Sequence, residues 1–214
     1  MTRGAGAAAG MLVALLLAGC GSSATAGSAS ESTSTGLVAP GNTAIPKSLL
    51  AGERPIGRGP RFEPSLLGTP SGSCTAELGR RAQVHIELFG ADRVVLLRAG
   101  IGTRRPRRFL DGRLTQAGCF GAIVTLDPTG TVYFRRGQPL TLEALFREWG
   151  HALTPAQMAS FAGTVRVYID GRRRPVSPDS VRLAAGAEIV VEVGPYVPPH
   201  ASFPFPKPPP VTLR

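Results

Sequence analysis

Lysine, histidine, cysteine and aromatic residues are all scarce in this 214-residue chain, and no apolar run is long enough to cross a bilayer. The longest apolar stretch, around Met11–Leu17, is well short of the roughly 20 residues a spanning helix needs. No Gly-x-Ser-x-Gly is present to hold a hydrolase serine. Neither Gly57-Arg58-Gly59-Pro60 nor Gly100-Ile101-Gly102 continues to Gly-Lys-Ser/Thr, so neither is a phosphate loop. His85, His151 and His200 are the three histidines, and none stands beside a nucleophile in a pattern that builds a base, a nucleophile and oxyanion donors together. The sequence therefore reads as non-enzymatic. Aromatic residues, 6% of the chain, are not interleaved with the basic runs, which argues against a stacking platform for nucleic acid.

What is present begins at the N-terminus. Arg3, a small-residue stretch, the apolar Met11–Leu17 and then Ala18-Gly19-Cys20 follow the order of a secretory signal: basic, apolar, small at the cleavage point. Leu17-Ala18-Gly19-Cys20 resembles the lipobox of bacterial lipoproteins. That resemblance implies a signal peptide over 1–19, acylation of Cys20, and residence on the extracytoplasmic face of the cell membrane. Two acyl chains on one cysteine suffice for stable attachment, which one chain alone does not give.

Fourteen of the twenty prolines fall in two zones, the first of which also holds nine of the twenty-seven glycines. The first, 20–72, starts with Gly, Ser, Ala and Thr and continues through Pro46, Pro55, Pro60, Pro64 and Pro70, a flexible and then extended tether. The second, 195–214, holds Pro198-Pro199, Pro204, Pro206 and Pro208-Pro209-Pro210, a polyproline-type tail. Between them, 73–194 is the size of one ordinary domain.

Net charge is +10, and only Lys47 and Lys207 among the 24 basic residues are lysines. The arginines cluster at Arg104-Arg105-Pro106-Arg107-Arg108, Arg135-Arg136 and Arg172-Arg173-Arg174. They suit anionic lipid head groups or an acidic envelope polymer, each basic residue adding about 1 kcal/mol near such a surface. A solvated basic surface with no partner is the alternative reading.

Within the domain, Gln83–Phe89 alternates polar and apolar residues, as a half-buried strand does, and Gly90-Ala91-Asp92 turns it into Arg93–Leu97. Residues 102–118 read as basic and irregular. Phe120–Leu126 and Thr131–Phe134 pair around Asp127-Pro128-Thr129-Gly130. Leu142, Leu145, Phe146 and Trp149 share one face of a helix, with Thr141 as N-cap and Gly150 after its end. Thr154-Pro155-Ala156-Gln157 suggests a second short helix ending near Gly163. Val165–Ile169 and Glu188–Val193 are the last strands. The expected class is α+β: a single mixed or antiparallel sheet packed by one or two short helices, finishing in the manner of β-grasp domains.

Setting Cys20 aside leaves Cys74 and Cys119, an even pair that reads as a disulfide in an exported domain. Two free thiols or metal ligands are the alternative, without the close C-x-x-C spacing that zinc sites favour.

The segments Cys74-Thr75-Ala76-Glu77, Arg98–Gly102, Cys119, Asp127, Gly130, Thr141–Gly150 and Gly194–Pro199 resemble the skeleton of an uncharacterised histidine-rich family of bacterial and archaeal envelope domains, over about residues 74–206. The spacing from Cys74 to Glu77 is one residue shorter than in that pattern. Of the family's triple-histidine strand only His85 remains, with Arg81 and Gln83 in the other two places. Val124, Leu126 and Tyr133 occupy further histidine positions, and Arg135 stands where the family has a glutamate. The resemblance leaves His85, Glu77 and Asp127, with His151 as a possible addition, as weak metal-ligand candidates in a chain for which no cofactor is expected. The primary expectation is a non-catalytic binding or scaffolding lipoprotein with a protein, lipid or polymer partner, contacted through the arginines or the apolar replacement face. The alternative is a metal-binding lipoprotein with a reduced ligand set around His85.

Overall fold

A computed structural model describes residues 61–207, together with 209 and 213. The signal segment, Cys20 and the tether up to residue 60 lie outside the described residues. The strands are β1 (Ala82–Gly90), β2 (Arg93–Val95), β3 (Thr103–Leu110), β4 (Arg113–Phe120), β5 (Ile123–Thr125) and β6 (Thr131–Phe134). After helix α1 (Leu142–Trp149) come β7 (Leu153–Thr154), β8 (Gln157–Met158), β9 (Phe161–Ala162), β10 (Val165–Ile169), β11 (Arg172–Arg174) and β12 (Glu188–Val193).

Seven of these strands make one mixed sheet in the order β11-β10-β12-β1-β6-β5, with β2 alongside the far end of β1. β1 and β12 are parallel, and every other pair in this sheet is antiparallel. The expected α+β class holds in its sheet-dominated form, with one α-helix.

That helix forms for the reasons its sequence states. Thr141 accepts a bond from the Ala144 amide at 3.2 Å, and Gly150, with φ 86°, closes the C-terminus. Leu142, Leu145, Phe146 and Trp149 are all buried against Val84, Ile86, Leu88, Ile189 and Val191 from the inner face of the sheet. Burial of side chains this large stabilises by roughly 1.5–3 kcal/mol each.

Two expectations need correction. Residues 102–118 are not irregular: β3 and β4 form a separate two-stranded arm. Its turn is Asp111-Gly112, with φ of 49° and 75°, the left-handed pair that a tight hairpin requires. The arginines hid the alternation, because most of β3 is exposed and has no apolar face to display. The second helix is also absent; β7, β8 and β9 form a small meander there. Thr154 does accept a bond at 3.2 Å, but from the Ala156 amide, two residues on, which builds a turn and not a helical cap.

The ends of the described chain pack onto this body. Phe62 bridges Val95, and the Leu67 and Gly68 amides both donate to the Trp149 carbonyl. Cys74 and Cys119 form a disulfide, with Cα atoms 5.6 Å apart, joining the approach to β1 to the end of β4. No helix among the described residues is long and apolar enough to cross a membrane.

Candidate functional site

Strand alternation sends Val84, Ile86 and Leu88 into the core beneath α1, and so presents Gln83, His85, Glu87 and Phe89 on the opposite, outer face. The same rule puts Glu188, Val190 and Glu192 of β12 on that face. Parallel pairing then sets His85 beside Glu188 and Phe89 beside Glu192.

The proline-rich tail is a strap across this face. Val197 is buried with Phe89, Tyr168 and Val190. His200 Nδ1 lies 2.5 Å from Glu87 Oε1, Phe203 stacks on the His85 ring, and Gln83 donates to the Pro206 carbonyl at 3.2 Å.

His85 is the centre of the arrangement and is almost fully buried. Its Nε2 is 2.8 Å from the Thr129 carbonyl oxygen, and its Nδ1 is 2.7 and 2.9 Å from the two Glu188 oxygens. Burial pushes the Glu188 carboxyl above its ordinary range, against the opposing pull of His85. Thr129 reaches the imidazole because Gly130 (φ 87°) allows the turn to press in; a Cβ there would lie 2.8 Å from His85 Nε2. Glu87 leaves its second oxygen, Oε2, buried and without a hydrogen-bond partner. One ligand atom from each of His85, Glu87 and Glu188 falls within a mutual 4.8 Å, the one such group of three among the described residues. A cavity of about 40 Å³, counted as space open to the centre of a water molecule, adjoins them between His85, Glu87, Thr129, Gly130 and His200.

The other metal-ligand candidates are elsewhere employed. Asp127 is buried and builds its own turn, accepting from the Thr129 amide and hydroxyl and pairing with Arg113 at 3.2 Å. Glu77 is exposed and outside the group. His151 bonds the Ser65 carbonyl at 2.7 Å and packs against the Trp149 edge. The partners that do meet His85 are Glu87, Glu188 and His200. Glu87 was visible two places along the strand; Glu188 required the parallel pairing, which no local pattern announces.

At the positions where the resembled family has histidines, Val124, Leu126 and Tyr133 form a buried apolar cluster with Leu78, Leu114 and Phe120 beneath the β3–β4 arm. Arg135 instead ties Ser73, Thr75 and the Phe120 carbonyl together beside the disulfide. Nearby Arg81 is held by the Leu78 and Ala122 carbonyls, and burial, with Arg135 adding repulsion, lowers its pKa to about 10.

The arginines divide accordingly. Arg104, Arg105 and Arg108 are exposed on the arm, and Arg172, Arg173 and Arg174 are exposed on β11, an edge strand of the sheet. Arg107 folds back onto Thr103, through its hydroxyl and its carbonyl.

No family model, curated protein or solved structure matches the chain.

Proposed function

We propose that this protein is a lipid-anchored lipoprotein of the extracytoplasmic face of the cell membrane, whose domain binds or scaffolds without catalysis. Its partner is anionic envelope material, lipid head groups or acidic polymer, met by the arm. The observation that carries this reading is the arm itself: Arg104, Arg105 and Arg108 stand exposed on a two-stranded projection whose only acidic residue is Asp111 at its turn. Charge of one sign, displayed on the exposed side of a hairpin whose other side packs on Val124, Leu126 and Tyr133, gives electrostatic attraction without a shaped pocket.

Two further features support it. The Cys74–Cys119 disulfide suits an oxidising compartment. The spatial order β6-β1-β12-β10-β11 in the sheet, with α1 between β6 and β10 in the chain and the first and last strands parallel at the centre, supports a β-grasp-like reading. In that reading β2 to β5, the arm included, elaborate the first hairpin.

The test has two parts. The Cys20→Ala protein is expected to leave the membrane fraction and lose lipid labelling; unchanged fractionation and labelling refute the anchor. The same unlipidated protein is then mixed with vesicles containing phosphatidylglycerol, with neutral vesicles, or with an acidic wall polymer. Replacing Arg104, Arg105 and Arg108 by serine is expected to weaken anionic binding about 100-fold at low salt, on the scale of about 1 kcal/mol per residue. Equal binding to neutral and anionic surfaces, or no loss in the triple variant, refutes the arm.

A further inference from the structure

Independently of that reading, we propose that His85, Glu87 and Glu188 bind one divalent first-row metal cation, such as zinc, beneath the strap that carries His200 and Phe203.

The argument starts from donor direction. A carbonyl oxygen only accepts, so the 2.8 Å contact with Thr129 requires the proton of His85 to sit on Nε2. The Nδ1 lone pair then faces two carboxylate oxygens at 2.7 and 2.9 Å. Acceptors that close repel one another unless a positive species lies between them. That species is a proton or a metal ion, and the surroundings favour the metal. Glu87 brings one carboxylate oxygen within 4.8 Å of ligand atoms of the other two residues and keeps its Oε2 buried without a hydrogen-bond partner, a state that a proton shared by His85 and Glu188 alone does not relieve.

The supporting shell is that of a metal-binding imidazole. Such a ring gives its second nitrogen's proton to a backbone carbonyl, which fixes tautomer and orientation; Thr129 does this here. His200, bonded to Glu87 Oε1, orients the second carboxylate. Metal–nitrogen and metal–oxygen bonds of about 2.0–2.2 Å set tetrahedral donors roughly 3.4 Å apart, so binding spreads His85 Nδ1 and Glu188 from their 2.7 Å contact, with Glu87 already inside 4.8 Å. Three protein ligands leave a coordination position open for a water molecule.

The experiment uses the full-length protein in detergent, stripped by chelator and titrated with zinc chloride against a chromophoric competitor at pH 7.5. Expected is one zinc per chain. Glu87→Gln keeps shape and removes a ligand, so it is expected to bind at least tenfold more weakly while melting, metal-free, as the wild type does. His200→Ala is expected to weaken binding less. Absence of zinc binding at pH 7.5 overturns the proposal and leaves a proton between His85 and Glu188. Zinc retained equally by Glu87→Gln overturns it as well, since the metal then sits elsewhere. Neither result depends on Cys20 or on the arginine arm.

Discussion

The imidazole of His85 and the phenyl ring of Phe203 lie face to face, 3.6 Å between centroids and 2° from parallel. A residue of the strap is thereby laid on a buried polar group of the outer sheet face. Phe203→Ala removes the stack and is expected to cost about 0.5–1.5 kcal/mol, a melting shift of a few degrees. Its sharper signature is local: limited proteolysis should cut the strap faster while the sheet stays intact. An unchanged cleavage rate would show that the stack does not hold the strap.

The disulfide constrains a loop with a sequence separation of 45 residues. On the chain-entropy account, that closure stabilises by about 4 kcal/mol. Cys119→Ser, or reductant added to the wild type, should therefore lower the melting temperature by on the order of 10 °C. Coincident melts with and without reductant would contradict it.

Gly150 and Gly137 both sit at positive φ, 86° and 80°, but their surroundings differ. A Cβ on Gly150 would lie 2.4 Å from the Gly68 nitrogen, whereas one on Gly137 meets nothing within 4 Å. Gly137→Ala should cost only the left-handed backbone term of about 1–2 kcal/mol. Gly150→Ala carries that term plus a backbone clash, and its thermal melt should fall clearly below that of Gly137→Ala. Equal losses would mean that the Gly68 segment does not press on the helix end.

Glu192 is fully buried, bonded to Arg166 at 3.3 Å and to the Val197 amide. Burial raises its carboxyl above the ordinary value, with Arg166 pulling the other way. Its folded-state pKa exceeds the unfolded one, so its contribution is fully present below about pH 4.3 and is lost as pH rises through the raised value. Glu192→Gln should flatten the fall in melting temperature between pH 5 and pH 8. It should not abolish that fall, because Glu188 is shifted the same way. A variant with an equal or steeper slope would refute the assignment.

Much of this was legible residue by residue. The helix was written in Thr141, the Leu142–Trp149 stripe and Gly150, and β1, β6, β10 and β12 in their alternation. The arm was announced only by Asp111-Gly112, because β3 is exposed along most of its length and the buried Leu114, Ala117 and Phe120 of β4 do not alternate at period two. The site was half legible. His85 and Glu87 share a face by position alone, but Glu188 and His200 reach them through pairing and strap contacts 103 and 113 residues away. Asp127 stood in a promising pattern, yet its carboxylate is consumed by its own turn and by Arg113.

The parallel pairing of β1 with β12 also dictates an order of assembly. The central seam of the sheet joins residues 103 apart, so it cannot zip until the final strand has been delivered. Cys74 and Cys119 need only about the first two-fifths of the described chain and can be locked while the rest is still arriving. The arm and its crosslink are thus an early-folding clamp, and β12, with the strap behind it, is the closing stitch.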